Sequence, residues 1–346
     1  MDELKKLRER IDWLDTQIAS LLNERMRAVD QIGKVKRVQH QEVTDTSREQ
    51  NVLTQVEMII QHPTLKSNIA HIYQEIMHES KITQQFFQHP TQPFRRIGII
   101  GLGLIGGSIC KGIKMKDSSI EIGSLKYESD DYSLALEGGW VDHVYSSMKE
   151  LIQNSELLIL ATPLSTMIGF AEEIKLHSDP LKKLIVIDVA SVKGTIIEAF
   201  EKLSSDQIEY IGTHPMAGKE KGGFANSHAT LFVSWPWIVV PHKKNSPEAI
   251  DSISQFIHFL GAELISLDAE THDKQTALVS HLPSLLAKSY FDFVNSIDQP
   301  SIKIAGPGFK SFTRLAHDNP EMRSEIIEYN KQVIRSYLEQ WLEGLK

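Results

Sequence analysis

The first 38 residues carry an apolar heptad repeat that fits one long helix. Between Asp2 and Val38 there is no proline, and Gly33 is the one glycine. The apolar positions form two interleaved series, Leu4, Ile11, Ile18 and Ile32 in the first and Leu7, Leu14, Leu21, Ala28 and Val35 in the second. Such a helix spans about 55 Å, which is longer than a small domain is wide. We therefore predict that its apolar seam packs against the same helix of a second chain, in a homodimer.

One position of the first series is charged, because Arg25 stands where the heptad expects an apolar residue. This arginine either sets the register of a coiled coil or faces a cavity that binds an anion. Two further helices are predicted over Thr46 to His62 and Thr64 to Gln88. The second has an apolar inner face, formed by Ile69, Ile72, Ile76 and Phe87, that also contains Ser80 and Gln84. Buried polar groups are costly unless a partner satisfies them. The pattern therefore favours a polar pocket inside a helical bundle.

From Leu4 to about Gln88 the chain resembles the all-helical chorismate mutases. The matching segments are LRERIDWLD (Leu7 to Asp15), LLNER (Leu21 to Arg25), GKVK (Gly33 to Lys36), DTSRE (Asp45 to Glu49) and SKITQ (Ser80 to Gln84). The resemblance implies an N-terminal mutase domain over residues 1–90. It also implies a pocket made of Arg8, Arg25, Lys36, Asp45, Arg48, Glu49, Ser80 and Gln84, with Arg8 supplied by the partner chain.

The chemistry of chorismate fits such a pocket. The substrate is a dianion, and its rearrangement to prephenate needs a compact conformer and stabilisation of the negative charge that grows on the ether oxygen. Arginines bind carboxylates bidentately. The resemblance assigns Lys36 and Gln84 to the ether oxygen and Glu49 to the ring hydroxyl, as electrostatic preorganisation. Thr46 and Glu49 also have the spacing of a helix capping box.

After a proline-containing connector, with a linker predicted over residues 91–95, the pattern changes to alternating strands and helices. A buried strand at Arg96 to Ile100 runs into GLGLIGGS (Gly101 to Ser108), which opens a helix. Glycines in this context allow a dinucleotide's pyrophosphate to approach a helix N-terminus. Further strands are predicted at Ile120 to Leu125, Leu157 to Ala161, Leu184 to Asp188 and Glu209 to Gly212. This order predicts a doubly wound, Rossmann-type parallel sheet over residues 96–268.

The end of the second strand bears on cofactor choice. Leu125 stands where an acid usually binds the ribose 2′-hydroxyl, and Lys126 follows it. Lys126 is able to hold a 2′-phosphate, so NADP is as plausible as NAD. In the other interpretation Lys126 is solvated and Glu128 binds the ribose. The predicted cofactor contacts are Gly101, Gly103, Leu104, Ile105, Gly106, Lys126, Thr162 and Pro163.

From Ile97 to Leu345 the chain is similar to the prephenate dehydrogenases. The segments are GLGLIGGS, LATP (Leu160 to Pro163), DVASVKG (Asp188 to Gly194), GTHPMAGKEKGG (Gly212 to Gly223), HDKQTALVSHLP (His272 to Pro283) and GFKSFTRLA (Gly308 to Ala316). With the mutase, they imply a bifunctional enzyme of tyrosine biosynthesis. Helical patterns at Thr271 to Asn295 and Pro320 to Leu345 predict an all-helical dimerisation domain over residues 269–346. Arogenate as the substrate, and feedback by tyrosine, both stay open.

The resemblance also implies roles in oxidative decarboxylation. His214 would withdraw the hydroxyl proton as hydride departs, a task that suits a neutral histidine. Ser191 would hydrogen-bond the same hydroxyl. Arg314 would pair with a substrate carboxylate and His281 would orient the substrate. Glu220 and Lys310 would form an ionic gate at the mouth of the site. Asp188 is interpreted as the end of a strand, without substrate contact.

Composition limits the other possibilities. The 346 residues suffice for roughly two to two and a half domains, and 41% hydrophobic residues are enough for buried cores. The net charge of -8 disfavours nucleic acids and anionic membranes as partners. A single cysteine, acidic residues near the start and the lack of a long apolar run predict a cytoplasmic, soluble protein. No spacing typical of a metal site occurs, so no metal is expected. The alternative function is a monofunctional prephenate or arogenate dehydrogenase with a non-catalytic helical segment.

Overall fold

A computed structural model describes residues 2–89, 91–126, 132–202, 205 and 207–344. Glu128, the alternative ribose ligand, lies outside these residues, as does Leu345 at the end of the predicted last helix. The chain forms two compact units, residues 1–91 and residues 92–346. In the described ranges, no helix combines the length and the apolar character needed to cross a membrane.

The first unit contains three helices, as predicted: α1 Asp2–Val38, α2 Thr46–Ile59 and α3 Pro63–Phe86. The helix α2 is capped by Asp45, whose side chain accepts the Arg48 backbone N–H. The capping-box interpretation of Thr46 was therefore wrong by one residue, because the Glu49 N–H that Thr46 would cap donates to the Asp45 carbonyl at 3.0 Å. Pro63 begins α3, where a missing N–H costs nothing.

Most of the α1 seam is uncovered in the single chain. Leu7, Ile11, Ile18 and Leu21 are each more than half exposed, whereas Val29, nearer the C-terminal end, is buried. Contacts between α1 and α3 account for this burial. A contiguous apolar stripe of this kind marks an interaction surface. Ile72 was expected on the inner face of α3 but is 55% exposed.

The second unit is built around one eight-stranded sheet of order β3-β2-β1-β4-β5-β6-β7-β8. Its strands are β1 Arg96–Ile100, β2 Glu121–Leu125, β3 His143–Tyr145, β4 Leu157–Leu160, β5 Leu184–Asp188, β6 Ile208–Pro215, β7 Pro236–Val240 and β8 Glu263–Ser266. The helices between them are α4 Leu104–Lys116, α5 Tyr132–Glu137, α6 Met148–Gln153, α7 Leu164–His177, α8 Gly194–Glu201 and α9 Pro247–Phe259. Helices cover both faces, which confirms the doubly wound class.

The sheet departs from the predicted all-parallel arrangement at one edge. The strand β7 runs antiparallel to β6, with His214 opposite Ile238. No α-helix links these two strands, and a parallel return needs a long crossover that is usually a helix. The strand β6 also continues beyond the predicted Gly212 and takes His214 into the sheet. Three strands escaped prediction, namely β3, β7 and β8.

The C-terminal part is helical, as predicted, but more interrupted. It contains α10 Ala269–Thr276, α11 Leu282–Asp298, α12 Pro307–Phe312, α13 Pro320–Tyr329 and α14 Lys331–Glu343. A π-helical turn, Ala277–His281, links α10 to α11, and Asn330 separates α13 from α14. Short π-helical turns often occur at functional sites. Here the turn ends at His281, one of the predicted substrate residues.

Candidate active sites

In the first unit, Arg25 lies inside the helical bundle. Its Nη1 atom donates to Ser80 Oγ at 2.5 Å, and the Ser80 hydroxyl donates to the Ile76 carbonyl. Ser80 is buried and Arg25 is half-buried. The charge that interrupts the heptad therefore faces α3 of its own bundle, as the pocket interpretation expects.

Gln84 and Lys36 lie close to the same face of α1. The Gln84 side chain is buried, and its Oε1 atom has no hydrogen-bond partner within the described residues. A Cβ atom placed on Gly33 would approach Gln84 Cγ to 3.2 Å, so the glycine lets α1 and α3 come close. Lys36 lies one turn further along α1 and donates to the Val43 carbonyl at 2.8 Å. Both polar side chains thus have capacity for an added ligand.

The remaining predicted mutase residues are less buried. Glu49 pairs with Lys81 at 3.3 Å, and Arg48 and Asp45 are exposed near the start of α2. Backbone and side-chain hydrogen bonds from Arg48 and Ser47 lower the pKa of Asp45. Arg8 is exposed on α1 and lies 17 residues before Arg25, about 25 Å away along the helix. Within one chain it therefore cannot reach the pocket.

The glycine-rich turn after β1 has the geometry that a dinucleotide requires. Gly101 has a φ of +101°, which favours glycine. A Cβ on Gly106 would lie 1.9 Å from the Gly101 carbonyl oxygen, so no side chain fits there. A Cβ on Gly103, the N-cap of α4, would meet no atom within 4 Å. The N-terminus of α4 is therefore open to an anion, and Leu104 and Ile105 form its first turn.

The predicted contacts at the end of β4 lie beside this turn. The Thr162 hydroxyl is buried and has no partner in the described part of the chain. Pro163 precedes α7, and the first backbone N–H groups of α7, from Leu164 and Ser165, donate to the Glu325 carboxylate at 3.0 and 3.3 Å. The Glu325 carboxylate thus satisfies these two N–H groups, whereas the Thr162 hydroxyl is available to a ligand.

Lys126 is exposed at the end of β2. Its ammonium lies 5.7 Å from the centre of the Tyr132 ring, and its backbone N–H donates to the Tyr145 carbonyl. No carboxylate is paired with it in the described residues. The position therefore offers a cation at the strand end where the adenosine ribose usually binds.

His214 belongs to a chain of three side chains. His214 Nδ1 lies 2.9 Å from His272 Nε2, and His272 Nδ1 lies 2.8 Å from Asp273 Oδ1. Because a carboxylate only accepts, His272 carries its proton on Nδ1 and accepts at Nε2. His214 must then donate from Nδ1. This order leaves the Nε2 atom of His214 with a lone pair, as a general base requires.

The electrostatics agree with this order. Burial raises the pKa of Asp273, but hydrogen bonds from His272 and from the Lys193 and Gly194 backbone outweigh burial and leave the pKa lowered. Burial is also the largest cause that lowers the pKa of His214 well below its usual value, with His272 and Lys193 acting in the same direction. The carboxylate is therefore ionised and His214 neutral at pH 7.

A fully buried ion pair lies beside the three hydrogen-bonded side chains His214, His272 and Asp273, which form a histidine relay. Lys193 Nζ donates to Asp188 Oδ1, and both side chains are 0% exposed. Asp188 also accepts from the Tyr210 hydroxyl at 2.6 Å and from the Ala190 N–H at 2.8 Å. The Lys193 backbone N–H donates to Asp273 at 2.7 Å. The turn that carries Ser191 is thereby fixed between the ion pair and the histidine relay, and Asp188 ends β5, as interpreted.

His281 presents a donor. Asn330 donates to the Asp273 carbonyl at 2.8 Å and lies 3.2 Å from His281 Nδ1. Since the Asn330 amide nitrogen only donates, His281 accepts at Nδ1 and carries its proton on Nε2. That Nε2 atom is buried without a partner among the described side chains. Burial lowers the pKa of His281 to about 4, so the ring is neutral.

The outer residues differ from the expected gate. Glu220 pairs with Arg314 at 3.7 Å, and both side chains are more than half exposed. The expected pair between Glu220 and Lys310 does not form in the described chain, where the Glu220 carboxylate lies nearer to the Arg314 guanidinium. Throughout the described ranges, no group of three or more His, Cys, Asp or Glu residues could hold a metal ion.

Sequence reasoning missed His272, Asp273, Lys193 and Asn330 as parts of the site. The first three belong to the segments HDKQTALVSHLP and DVASVKG, in which the sequence predicts His281 and Ser191 as site residues. An adjacent His-Asp pair in such a segment is a usable signal, because an acid often orients a histidine.

Three family models match the chain. They are "Chorismate mutase type II" over residues 7–85, "Prephenate dehydrogenase, nucleotide-binding domain" over 112–266 and "Prephenate dehydrogenase, dimerization domain" over 268–346. A prephenate dehydrogenase of Lactococcus lactis is 31% identical over 258 residues, 72% of this chain and 69% of that protein. The T-protein of Enterobacter agglomerans is 22% identical over 364 residues, which cover 99% of this chain and 87% of that protein.

Solved structures give a similar result. A prephenate dehydrogenase of A. aeolicus, in complex with hydroxyphenyl propionate and NAD+, aligns with a TM-score of 0.67 and 25% identity. The alignment covers 74% of this chain and 89% of that one.

Proposed function

The chain belongs to the prephenate dehydrogenase family and carries a chorismate mutase domain before the dehydrogenase, and we propose that it catalyses two consecutive steps of tyrosine biosynthesis. The first step rearranges chorismate to prephenate. The second oxidatively decarboxylates prephenate to 4-hydroxyphenylpyruvate with NAD or NADP. The match of 99% of this chain to a T-protein supports this order of domains in one polypeptide.

For the mutase step, the pocket supplies cations and amide donors and no nucleophile is needed. Arg25, held by Ser80, and Arg48 bind the two carboxylates of chorismate. Lys36 and Gln84 donate to the ether oxygen, where negative charge grows as the bond breaks. The Gln84 Nε2 atom carries two hydrogens, of which one donates to the Ser80 carbonyl at 3.3 Å and the other can donate to the ether oxygen. The Glu49 carboxylate accepts a hydrogen bond from the ring hydroxyl of chorismate.

The mutase pocket is complete only in a homodimer. Arg8 lies about 25 Å along α1 from Arg25, so it must enter the pocket of another copy. The exposed seam of α1, which includes Leu7, Ile11 and Ile18, provides the surface for that copy. The match of residues 268–346 to a dimerization domain supports a second contact between chains.

For the dehydrogenase step, His214 Nε2 takes the proton of the prephenate hydroxyl as hydride leaves the same carbon. Loss of carbon dioxide makes the ring aromatic, and the imidazolium returns the proton to the phenolic oxygen. Asp273 and His272 stabilise the positive charge that His214 carries between these events. Ser191 and the Nε2–H of His281 hold the substrate, and Arg314 binds a carboxylate.

The residues around β1 and β4 fit a nicotinamide dinucleotide, which accepts the hydride when bound. The open space at Gly103 and the helix N-terminus of α4 suit its pyrophosphate, and the orphaned Thr162 hydroxyl suits a polar group of the cofactor. Pro163 lines the same edge. Lys126, with no acid beside it in the described residues, favours acceptance of NADP as well as NAD, because it can pair with a 2′-phosphate.

The observation that carries the dehydrogenase assignment is the unprotonated Nε2 atom of His214, fixed by His272 and Asp273. We expect His214→Asn to lower turnover of prephenate about 10²- to 10⁴-fold, with little change in KM and normal mutase activity. The control is His143→Asn, at an exposed histidine of β3. Steady-state assays with prephenate and with arogenate measure turnover and KM of the two variants and the wild type. Wild-type turnover in the His214 variant would mean that another group is the base.

A further inference from the structure

A buried arginine on α13 has no place in the sites described above. Arg323 is 7% exposed, and no carboxylate forms an ion pair with it within the described chain. Burial of a charge without a counter-ion is costly, unless hydrogen bonds satisfy the group. The few partners that Arg323 has are therefore informative.

Those partners connect two segments of the dehydrogenase site. Arg323 Nε donates to Ser284 Oγ at 3.2 Å, and Nη2 donates to the carbonyls of Leu315 and Asp318 at 2.8 and 3.2 Å. Ser284 lies on α11, one turn after His281. The two carbonyls lie in and just after the 3₁₀ turn Arg314–His317. A cation at the C-terminal end of a helical turn satisfies carbonyls that the turn leaves open.

The same 3₁₀ turn begins with Arg314. Arg314 itself is exposed and only weakly held, by Glu220 at 3.7 Å. Burial raises the pKa of Asp318, while Arg323 and then Arg314 act to lower it and Glu220 raises it. Arg323, Arg314 and Glu220 are therefore each within electrostatic reach of Asp318. Among them, Arg323 is the one whose hydrogen bonds fix the backbone.

We propose that Arg323 is a positioning residue for Arg314. By binding the carbonyls of Leu315 and Asp318 and the Ser284 hydroxyl, it holds the segment that carries Arg314 against α11, the helix that follows His281. The guanidinium of Arg314 is thereby placed to meet a substrate carboxylate. This inference rests on the proposed role of Arg314 in binding prephenate.

The chemistry of the side chain gives a graded test. A guanidinium donates in several fixed directions at once, whereas a lysine ammonium is a single point on a flexible stem. Arg323→Lys should therefore keep part of the function, and Arg323→Met should lose it. We expect Arg323→Met to raise the KM for prephenate about tenfold or more, with kcat within roughly threefold and the KM for the nicotinamide cofactor unchanged. Arg323→Lys should be intermediate.

A double variant separates positioning from direct binding. If Arg323 acts through Arg314, then Arg323→Met should add no more than about twofold to the KM of an Arg314→Ala enzyme. If the two increases multiply instead, Arg323 acts independently and the proposal is wrong. Arg335→Met is the matched control, because Arg335 is an exposed arginine on α14 that pairs with Glu339.

The experiment also covers misfolding and failure of the proposed function. If Arg323→Met is insoluble, the same comparison is made with Arg323→Lys alone and combined with Arg314→Ala, and increases in KM that multiply again overturn the proposal. Thermal unfolding checks that each variant is folded. If the wild-type chain does not oxidise prephenate, the proposed function fails. If it does and the Arg323 variants keep a normal KM, only the positioning role fails.

Discussion

Asp273→Asn tests the histidine relay at the member that does not touch substrate. The carboxylate accepts three N–H groups, from His272 and Lys193 at Oδ1 and from Gly194 at Oδ2, at 2.7 to 2.8 Å. In asparagine, an NH2 group, which only donates, replaces one of the two carboxylate oxygens. In either orientation this donor faces an N–H group, and the negative charge is lost. The variant therefore weakens the support of His272 while leaving His214 and its pocket in place.

The expected effect follows from the bond that changes character. A hydrogen bond to a charged group contributes about 1.5 to 3 kcal/mol, and this support matters most when His214 becomes an imidazolium. At roughly 1.4 kcal/mol per factor of ten, turnover of prephenate should fall about 10- to 140-fold. The fall should be smaller than that for His214→Asn, because the base itself remains.

The pH profile gives a second readout. The pKa of His214 lies well below its usual value because of burial, so wild-type activity should persist through pH 6.5 and be lost only at a distinctly more acidic pH, where His214 gains a proton. Burial likewise lowers the pKa of His272, and Asp273 acts to raise it. Without the anion, His272 supports a protonated His214 less well. The pKa of His214 should therefore fall further, and the acid limb of kcat/KM should move to lower pH.

The assay is reduced-nicotinamide absorbance over a range of prephenate concentrations from below KM to saturation, from pH 5 to 8, beside the mutase activity of the same samples. Glu270→Gln is the matched control, since Glu270 is an exposed acid one turn away that pairs with Lys274. The relay would be refuted by an Asp273→Asn enzyme with turnover within about threefold of wild type and an unshifted acid limb.

Four further substitutions test the remaining assignments. Arg25→Ala or Lys36→Ala should lower mutase turnover by orders of magnitude and leave oxidation of added prephenate nearly intact; normal mutase rates in both would remove the pocket assignment. Lys126→Asp should shift preference from NADP toward NAD roughly tenfold or more, by placing an anion near a 2′-phosphate, and strict NAD use before and after the change would contradict this role. Arg314→Ala should mainly raise the KM for prephenate, as expected for a contact present in both ground and transition states; a fall in kcat alone would argue against carboxylate binding.

The long-range order of the chain could be predicted because its signals are local. The heptad of α1 and the glycine turn from Gly101 to Gly106 each depend on residues close in sequence. The end of β6 and the direction of β7 could not be read in this way, because a strand's direction depends on its neighbour. The exposed face of α3 at Ile72 also depends on which helices surround it.

The site was predictable only in part, for the same reason. His214 and Ser191 stood out by their motifs, but the relay joins His214 to a histidine 58 residues away. Nothing in the spacing of these residues shows which ring nitrogen holds a proton. That depends on the carboxylate of Asp273 and on the buried pair of Asp188 and Lys193, which only the folded chain brings together.

The most direct test of the two-activity account is a time course with the purified chain, chorismate and NAD or NADP as the only reactants. If the chain carries both activities, chorismate disappears, prephenate rises transiently, and 4-hydroxyphenylpyruvate and reduced nicotinamide form in equal amounts. With His214→Asn, prephenate should accumulate as the end product. If the wild-type chain oxidises added prephenate but leaves chorismate unchanged, the helical N-terminal unit is not a mutase and the central claim is wrong.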